Sequence, residues 1–474
     1  MFKTYNQQQE SLVPTSIKEF LWKSHEAVLL NDVIDSLDLT NLHLTYKNNN
    51  WWTSAFHPRM LLKIIFYAYM TQTFSSRWIA KKLTSDLGYM YLAANNKPDF
   101  RTINRFRWER LFVVKDIFKQ IVDMLRKLWI VGFWTVSLDG TKIYANAWIG
   151  NNYTEDWLEK TIEKLLEEAN RIDEEEDKIF WDRQDNIPEE LGDPEYRKKR
   201  IQELLEEAKK KKEFISKEMA DKKENGIKQK KINTTDKDSR MMMMKHHDFA
   251  NWYNTQIITE NQIVLTTSIS NNPCDVKELI PTVEKLKAEY NEFPEILLAD
   301  AWYSSWDNYE YLDNQGINWY IPPHNELQIN LSDYEYDSKN NFYTDMEGNV
   351  YSFKQCCWIV WWKRWRPRKW EEPKEWEYKS KIYQTILSNW TKKHIEIFWK
   401  WHKHYNINKI KTNSVAWKKI ISKRKIDVET VFGNIKHNLK FSRFSLRWFN
   451  KAGIERDIVC IAHNFKKMFW LSII

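Results

Sequence analysis

The apolar positions change their period along the 474-residue chain, and each change predicts an element boundary. Between His57 and Met70, "HPRMLLKIIFYAYM" sets Met60, Leu61, Ile64, Ile65, Tyr67 and Ala68 at the i, i+3, i+4 spacing of an amphipathic helix. "SSRWIAKKL" follows, with Ser75 or Ser76 as its N-cap, and then "PDFRTINRFRWERLF", again helical and strongly basic. Short helices with arginines on the last suit a helix-turn-helix as well as a small bundle. Residues 1–115 therefore read as a helical domain with DNA as the expected partner. From Val131 the period drops to two. "GFWTVSLDGTKIYANA" predicts a strand that ends at Asp139-Gly140, followed by a second extended piece.

The next stretch, within 151–232, returns to a helical period. Leu158, Ile162, Leu165, Ala169 and Ile172 form a heptad-like stripe among Glu and Lys, "NIPEELGDP" breaks it, and "YRKKRIQELLEEAKKKKEFISKEM" resumes it. That is an antiparallel helical arm. "ANWYNTQIITE" and "NQIVLTTSIS" predict two more strands, "DVKELIPTVEKLKAEY" a helix, "EILLAD" a strand running into Asp300, and "INWYIPP" another. Residues 325–400 show no sustained period and read as an irregular, partly β insert. "KKIISKRKIDVETVFGNIKHNLKF" and "GIERDIVCIAHNFKKMF" close the chain as helices. Without arm and insert the order is β-β-β-α-β-α-β…α, a mixed α/β unit over 116–474.

Composition adds two things. Lys plus Arg is 73 against 65 Asp plus Glu, a net charge of +8, which permits a polyanionic partner without demanding one. Four cysteines make no disulfide framework, and adjacent Cys356-Cys357 lack a second pair at zinc spacing. The polar start and the lack of a long uncharged apolar run predict a cytoplasmic protein with no membrane partner. The second point is stranger. Glycine is 10 of 474, where about 7% is usual, while tryptophan occurs 26 times. The tryptophans stand beside turn formers, as in "NNNWWTSAF" and "SSWDN", where glycine supplies positive φ cheaply. UGA is read as tryptophan in one variant code and as glycine in another, so many of these positions are expected to be glycine in the native protein.

The candidate chemistry is carried by acids. Asp139 closes the first predicted strand, Asp300 a later one, and Glu429 lies in a late helix. Neighbouring strands of a mixed sheet can bring the first two together, and a helix packed across them can supply the third. Three hard oxygen donors suit Mg²⁺ or Mn²⁺, and two such ions can serve phosphodiester chemistry. Lys436 follows Glu429 by seven residues, about two turns on the same face of a regular helix. Arg424 and Lys425 precede it by about one turn, so cations flank the acid as a passing DNA backbone would require. Each acid also has a plain alternative: a turn residue at Asp139, a helix cap at Asp300, an exposed helical acid at Glu429.

"FHPRMLLKIIFYAY", "VSLDGTKIYANA", "ANWYNTQI", "LLADAWYSS" and "KRKIDVETVFGNIKHN" together resemble the DDE transposases of bacterial insertion sequences, in the branch with a helical N-terminal domain and an insert before the glutamate. The resemblance implies an RNase H-like catalytic core, two Mg²⁺ or Mn²⁺ ions held by Asp139, Asp300 and Glu429, and cutting and joining of element ends by a homodimer on double-stranded DNA. The family's tyrosine, arginine, glutamate, lysine signature falls on Glu429 and Lys436, with its arginine on Lys425 or Arg424. Ile421 or Ser422 stands in the tyrosine's place. Arg443 and Arg447 join the expected DNA contacts. Relatives often carry glycine where this chain has Trp302 and Trp448. Two other readings stay open: a derivative that binds DNA without cutting it, and a metal-dependent nuclease that cuts without joining. "KRWRPRK" (363–369), with glycine for its tryptophan, would resemble an AT-hook.

Overall fold

Polar and apolar patterning places one long strand at the centre of the molecule, and everything near the candidate acids is built around it. The computed structural model describes residues 16–44, 56–181, 194–224, 229–243, 249–322, 334–337, 340–358, 378–386, 392–398 and 415–473. A mixed sheet comprises β1 (Thr135–Tyr144), β2 (Arg240–Met243), β3 (Phe249–Glu260), β4 (Ile263–Ser270), β5 (Ile296–Leu298) and β6 (Asn318–Tyr320). β1 pairs antiparallel with β3 on one side and parallel with β5 on the other, and β5 is parallel to β6. β2 and β4 both pair with β3. β3 is buried from Asn251 to Glu260, as expected of a strand covered on both faces.

The predicted break at Asp139-Gly140 does not occur. β1 continues unbroken to Tyr144, because β3 stays paired with it from Ser137 to Tyr144. Glycine at 140 reads as a strand end in sequence, yet here it serves a close side-chain approach, described below. The start of β1 is fixed by Glu260, whose buried carboxylate accepts N–H bonds from Gly132 (2.8 Å), Phe133 (2.8 Å), Trp134 (3.0 Å) and Thr135 (3.3 Å).

The N-terminal helices Pro58–Met70 and Phe100–Glu109 share one apolar core with the sheet and with the C-terminal helix Phe449–Ile473. Their junction is polar and buried. Arg107 reaches Glu455 at 3.4 Å and Tyr69 donates to the same carboxylate at 2.8 Å, all three buried. Glu455 also accepts the Ser445 and Leu446 amides at 2.8 and 2.9 Å. That holds the segment whose Phe444 amide bonds the Tyr144 carbonyl at 2.9 Å. A buried carboxylate without these partners would cost several kcal/mol, so the segment is tightly specified.

The arm is a helix pair, Glu155–Trp181 and Pro194–Glu224, with Lys212 to Glu159 at 2.8 Å across it and a small core of Leu158, Ile215 and Ile232 at its root. The insert is more ordered than its sequence suggested. β7 (Tyr334–Asp337), β8 (Phe342–Asp345), β9 (Val350–Trp358), β10 (Tyr378–Ile386) and β11 (Lys392–Phe398) form an antiparallel meander. Register shifts between Phe353 and Gln355 and between Cys357 and Trp358 break the period of two. Its described core is also small, Tyr351 and Ile395 with Tyr334 and Tyr343. The AT-hook-like stretch 363–369 lies outside the described residues, as do the side chains of Cys356 and Cys357.

Tryptophans fall into two kinds. Trp319 is 1% exposed, stacks on Tyr309 and donates its indole N–H to Asp313 at 2.7 Å. Trp252 is buried against Tyr144. By contrast, Trp22, Trp78, Trp108, Trp129, Trp148, Trp157, Trp302 and Trp470 expose half of their surface or more. Two exposed tryptophans also have positive φ, Trp129 at 58° and Trp448 at 70°. A left-handed conformation costs a side-chain-bearing residue roughly 1–2 kcal/mol that glycine avoids.

Candidate active site

Asp139 in β1 and Asp300, two residues past the end of the parallel strand β5, come level when the strand register is extended. The β1–β5 register pairs Thr135 with Ile296, Val136 with Leu297 and Ser137 with Leu298. Carried two residues on, it sets Asp139 beside Asp300, on chains about 4.8 Å apart. Val136 and Leu138 on one strand and Leu297 to Ala299 on the other are fully buried, so the core fixes where the acids emerge. Asp300 is also the cap that its position suggested. Its Oδ1 accepts the Trp302 amide at 2.9 Å at the head of the 3-10 turn Ala301–Tyr303.

Both carboxyls are held above their ordinary range. Burial pushes Asp139 up to about 6; the charges of Asp300 and Asp275 add to this, while Arg424 and the Gly140 amide oppose it. Burial raises Asp300 as well, against Arg424 and the Trp302 amide. Two neighbouring carboxylates that resist ionisation together are a receptive place for a cation.

Glu429 approaches from the helical run that starts with Val415–Arg424. This run is not a regular α-helix. Lys425–Glu429 and Asn434–Asn438 are wound as π-helix around Thr430–Gly433. The expectation of two regular turns between Glu429 and Lys436 is therefore corrected. Such π segments are frequent at functional sites because they shift side chains off the 3.6 period.

Arg424 is the hinge of the arrangement. Its guanidinium lies 3.3 Å from Asp139 and 3.9 Å from Glu429, with the arginine side chain 12% exposed and that of Glu429 56% exposed. Lys436 donates to Thr141, two residues beyond Asp139 on the same strand face. Burial lowers the pKa of Lys436 and the charge of Asp139 opposes that. Lys425 is exposed on the run. Arg443 and Arg447 lie past the end of β1: Arg443 sits over the Tyr144 ring at 5.1 Å, and Arg447 donates to the Asn146 carbonyl at 3.1 Å. So Arg424 and Lys436 converge with the acids, while Lys425, Arg443 and Arg447 face outward around them.

Sequence patterning missed several groups here. Asp275 adds its charge to Asp139 and Asp300, and it accepts from Asn254 at 2.6 Å and from Gln256 at 2.9 Å. Their signal in the sequence is the polar pair Asn254 and Gln256, two apart in β3, where both are buried. Asp427, on the inner side of the first π segment, is 3% exposed, and burial lifts its carboxyl to about 6 against the pull of Lys423.

The donor chemistry fits a hard divalent cation: aligned carboxylates from Asp139 and Asp300, with a third acid across Arg424. The third is not yet in contact. Among the described residues no group of three or more His, Cys, Asp or Glu side chains is gathered closely enough to hold a metal. No described helix is long and apolar enough to cross a membrane.

A family model described as transposase domain (DUF772) matches residues 15–109, which span the N-terminal helices. A model described as transposase DDE domain matches residues 387–469, which contain Arg424, Glu429, Lys436, Arg443 and Arg447. Asp139 and Asp300 lie outside both segments, and their assignment rests on the strand geometry. No curated protein matches the chain. The two matches at opposite ends of the chain support a DDE transposase of the insertion-sequence type.

Proposed function

We propose that the chain is a transposase that cuts and rejoins phosphodiester bonds at the ends of its element, with Asp139, Asp300 and Glu429 as the ligands of two Mg²⁺ or Mn²⁺ ions. The observation that carries the reading is the level pairing of Asp139 with Asp300, with Glu429 joined to Asp139 through one arginine. Strand order β4-β3-β1-β5-β6, with helices following β4 and β5, supports an RNase H-like core. The ions, when bound, supply activation of a water or 3′-hydroxyl and neutralise charge on the phosphate.

The chain's own groups bind and orient the DNA. Lys436 and Arg424 are positioned to meet the phosphate nearest the acids. Lys425, Arg443 and Arg447 extend a cationic track beyond it, each contact releasing condensed counterions. Residues 1–115 form the proposed DNA-binding helical domain, and 116–474 the catalytic domain carrying the 151–232 arm and the 325–400 insert. A homodimer on double-stranded DNA would engage both ends of the element. A strand-transfer assay with labelled ends tests the reading. Cut and joined products are expected with Mg²⁺; cutting alone would make the chain a nuclease, and binding alone a derivative without catalysis.

A further inference from the structure

We infer that Gln256 is a positioning residue that sets the spacing of Asp139 and Asp300, acting through Tyr303 and Asp275; this rests on the metal-binding reading above. Gln256 lies in β3 directly opposite Gly140, the residue after Asp139. Its side-chain amide donates to Asp275 at 2.9 Å, and its carbonyl accepts the buried Tyr303 hydroxyl. Tyr303 ends the 3-10 turn that Asp300 begins, with its amide on the Asp300 carbonyl at 3.2 Å. Asp300 follows β5, Gln256 belongs to β3, and β1 with Asp139 runs between them. The Gln256–Tyr303 bond therefore spans β1 and ties the turn of the second acid to the strand beyond the first.

The span explains Gly140. A Cβ built there would lie 2.4 Å from the Gln256 amide nitrogen and 2.6 Å from its oxygen. Any side chain at 140 would push the amide off both partners. Asn254, on the same edge of β3, donates to Asp275 at 2.6 Å and so holds the far end of the chain. Groups that orient metal ligands from behind typically contribute tenfold to a hundredfold in metal affinity.

Mn²⁺ binding to the full chain, measured by electron paramagnetic resonance alongside the metal-free melting temperature, tests this. Gln256→Leu and Gly140→Ala should each weaken Mn²⁺ binding about tenfold or more, and Tyr303→Phe, which removes one oxygen, should weaken it less. Duplex DNA binding should stay unchanged in all three. Wild-type Mn²⁺ affinity in a folded Gln256→Leu variant would overturn the inference, as would wild-type affinity in Tyr303→Phe if Gln256→Leu fails to fold. Asp139→Asn separates the two ideas. If it binds Mn²⁺ as the wild type does, the metal-binding reading falls and takes this inference with it. If only the Gln256, Gly140 and Tyr303 variants match wild type, this inference alone fails.

A different observation carries a second proposal: Trp129 and Trp448 occupy glycine sites, and we propose that the native protein has glycine there. Helix Val114–Lys127 ends in a double bond pattern, with the Trp129 amide on the Arg126 carbonyl at 2.9 Å and the Ile130 amide on Leu125 at 3.1 Å. That is the Schellman closure, whose left-handed residue is usually glycine. Trp129 fills it with 80% of its surface exposed. Trp448 repeats the left-handed conformation ahead of helix Phe449–Ile473. In the chain as written, Trp129→Gly and Trp448→Gly should raise the melting temperature, while Trp319→Gly should lower it sharply. Peptide mass spectrometry of the protein from its source should find the 129 and 448 peptides lighter by the Trp–Gly difference. Tryptophan in either native peptide, or melting lowered by both surface replacements, would overturn the proposal.

Discussion

The strand-borne and helix-borne halves of the site are built on different terms. Asp139 sits in β1 and Asp300 two residues past the end of β5, each after fully buried residues, and the Asp139 side chain is only 18% exposed. Glu429 sits on a run with two π segments and is 56% exposed. A sheet register fixes two side chains to each other at no further cost once the core has formed. The helical run has no such register to the sheet. The two aspartates are thus set by strand pairing, whereas Glu429 meets the site through Arg424, at 3.9 Å.

The largest effects should separate these halves. Asp139→Asn is expected to remove most Mn²⁺ affinity in the protein alone. Glu429→Gln should cost less affinity in the absence of DNA, yet should abolish cutting just as fully. Calorimetric Mn²⁺ titration with and without element-end duplex reads this directly. Equal losses of affinity in both variants without DNA would erase the contrast.

A middle-sized effect lies behind the π-wound run. His463, buried, accepts from Asn434 in the second π segment at 2.7 Å and donates to the Gln262 carbonyl at 2.8 Å. Burial depresses its pKa from 6.5 to about 4. The unfolded chain then binds the proton first on acidification, so stability is intact above pH 6.5 and falls as pH drops towards 4. The full loss is about 3 kcal/mol, from 1.36 kcal/mol per pKa unit. Urea melts across this window should show the decline in wild type and little of it in His463→Gln. A wild-type stability that stays flat from pH 6.5 to 4 would place the imidazole in water.

The smallest effect concerns the outward cations. Arg443→Ala should lower the log–log slope of DNA binding against salt by about 0.9, the signature of one lost phosphate contact. Lys436→Ala should lower it by the same amount and also slow cutting, because its ammonium reaches the β1 face beside Asp139. An unchanged slope in both would move the duplex to another face.

The contrast also explains what was legible in the chain. The place of Asp300 at a strand's exit was legible because "EILLAD" carries an apolar run into an acid, whereas the alternation in "TVSLDG" suggested a strand end at Asp139, which lies within β1. Arm, β3, β4 and the closing helices follow from strong periods. Arg424 was read as a cation flanking Glu429, but its contact with Asp139 could not be, since spacing along one helix says nothing of the strand it faces. Gln256 was invisible for another reason. Its role depends on the empty space over Gly140, and an absent side chain leaves no pattern. The insert's meander stayed hidden because its register shifts and small core leave no sustained alternation. For the tryptophans, composition raised the question, and backbone conformation at Trp129 and Trp448 sharpened it.

Cleavage of duplex DNA bearing the element's ends, by wild type and by Asp300→Ala in the same Mg²⁺ buffer, tests the central claim most directly. On the proposed assignment the replacement removes a metal ligand and no phosphate contact. Wild type should cut, and the variant should bind the same duplex with unchanged affinity while cutting at least about a thousandfold more slowly, several kcal/mol of lost transition-state stabilisation. A variant that still cuts in Mg²⁺ at the wild-type rate would contradict the account.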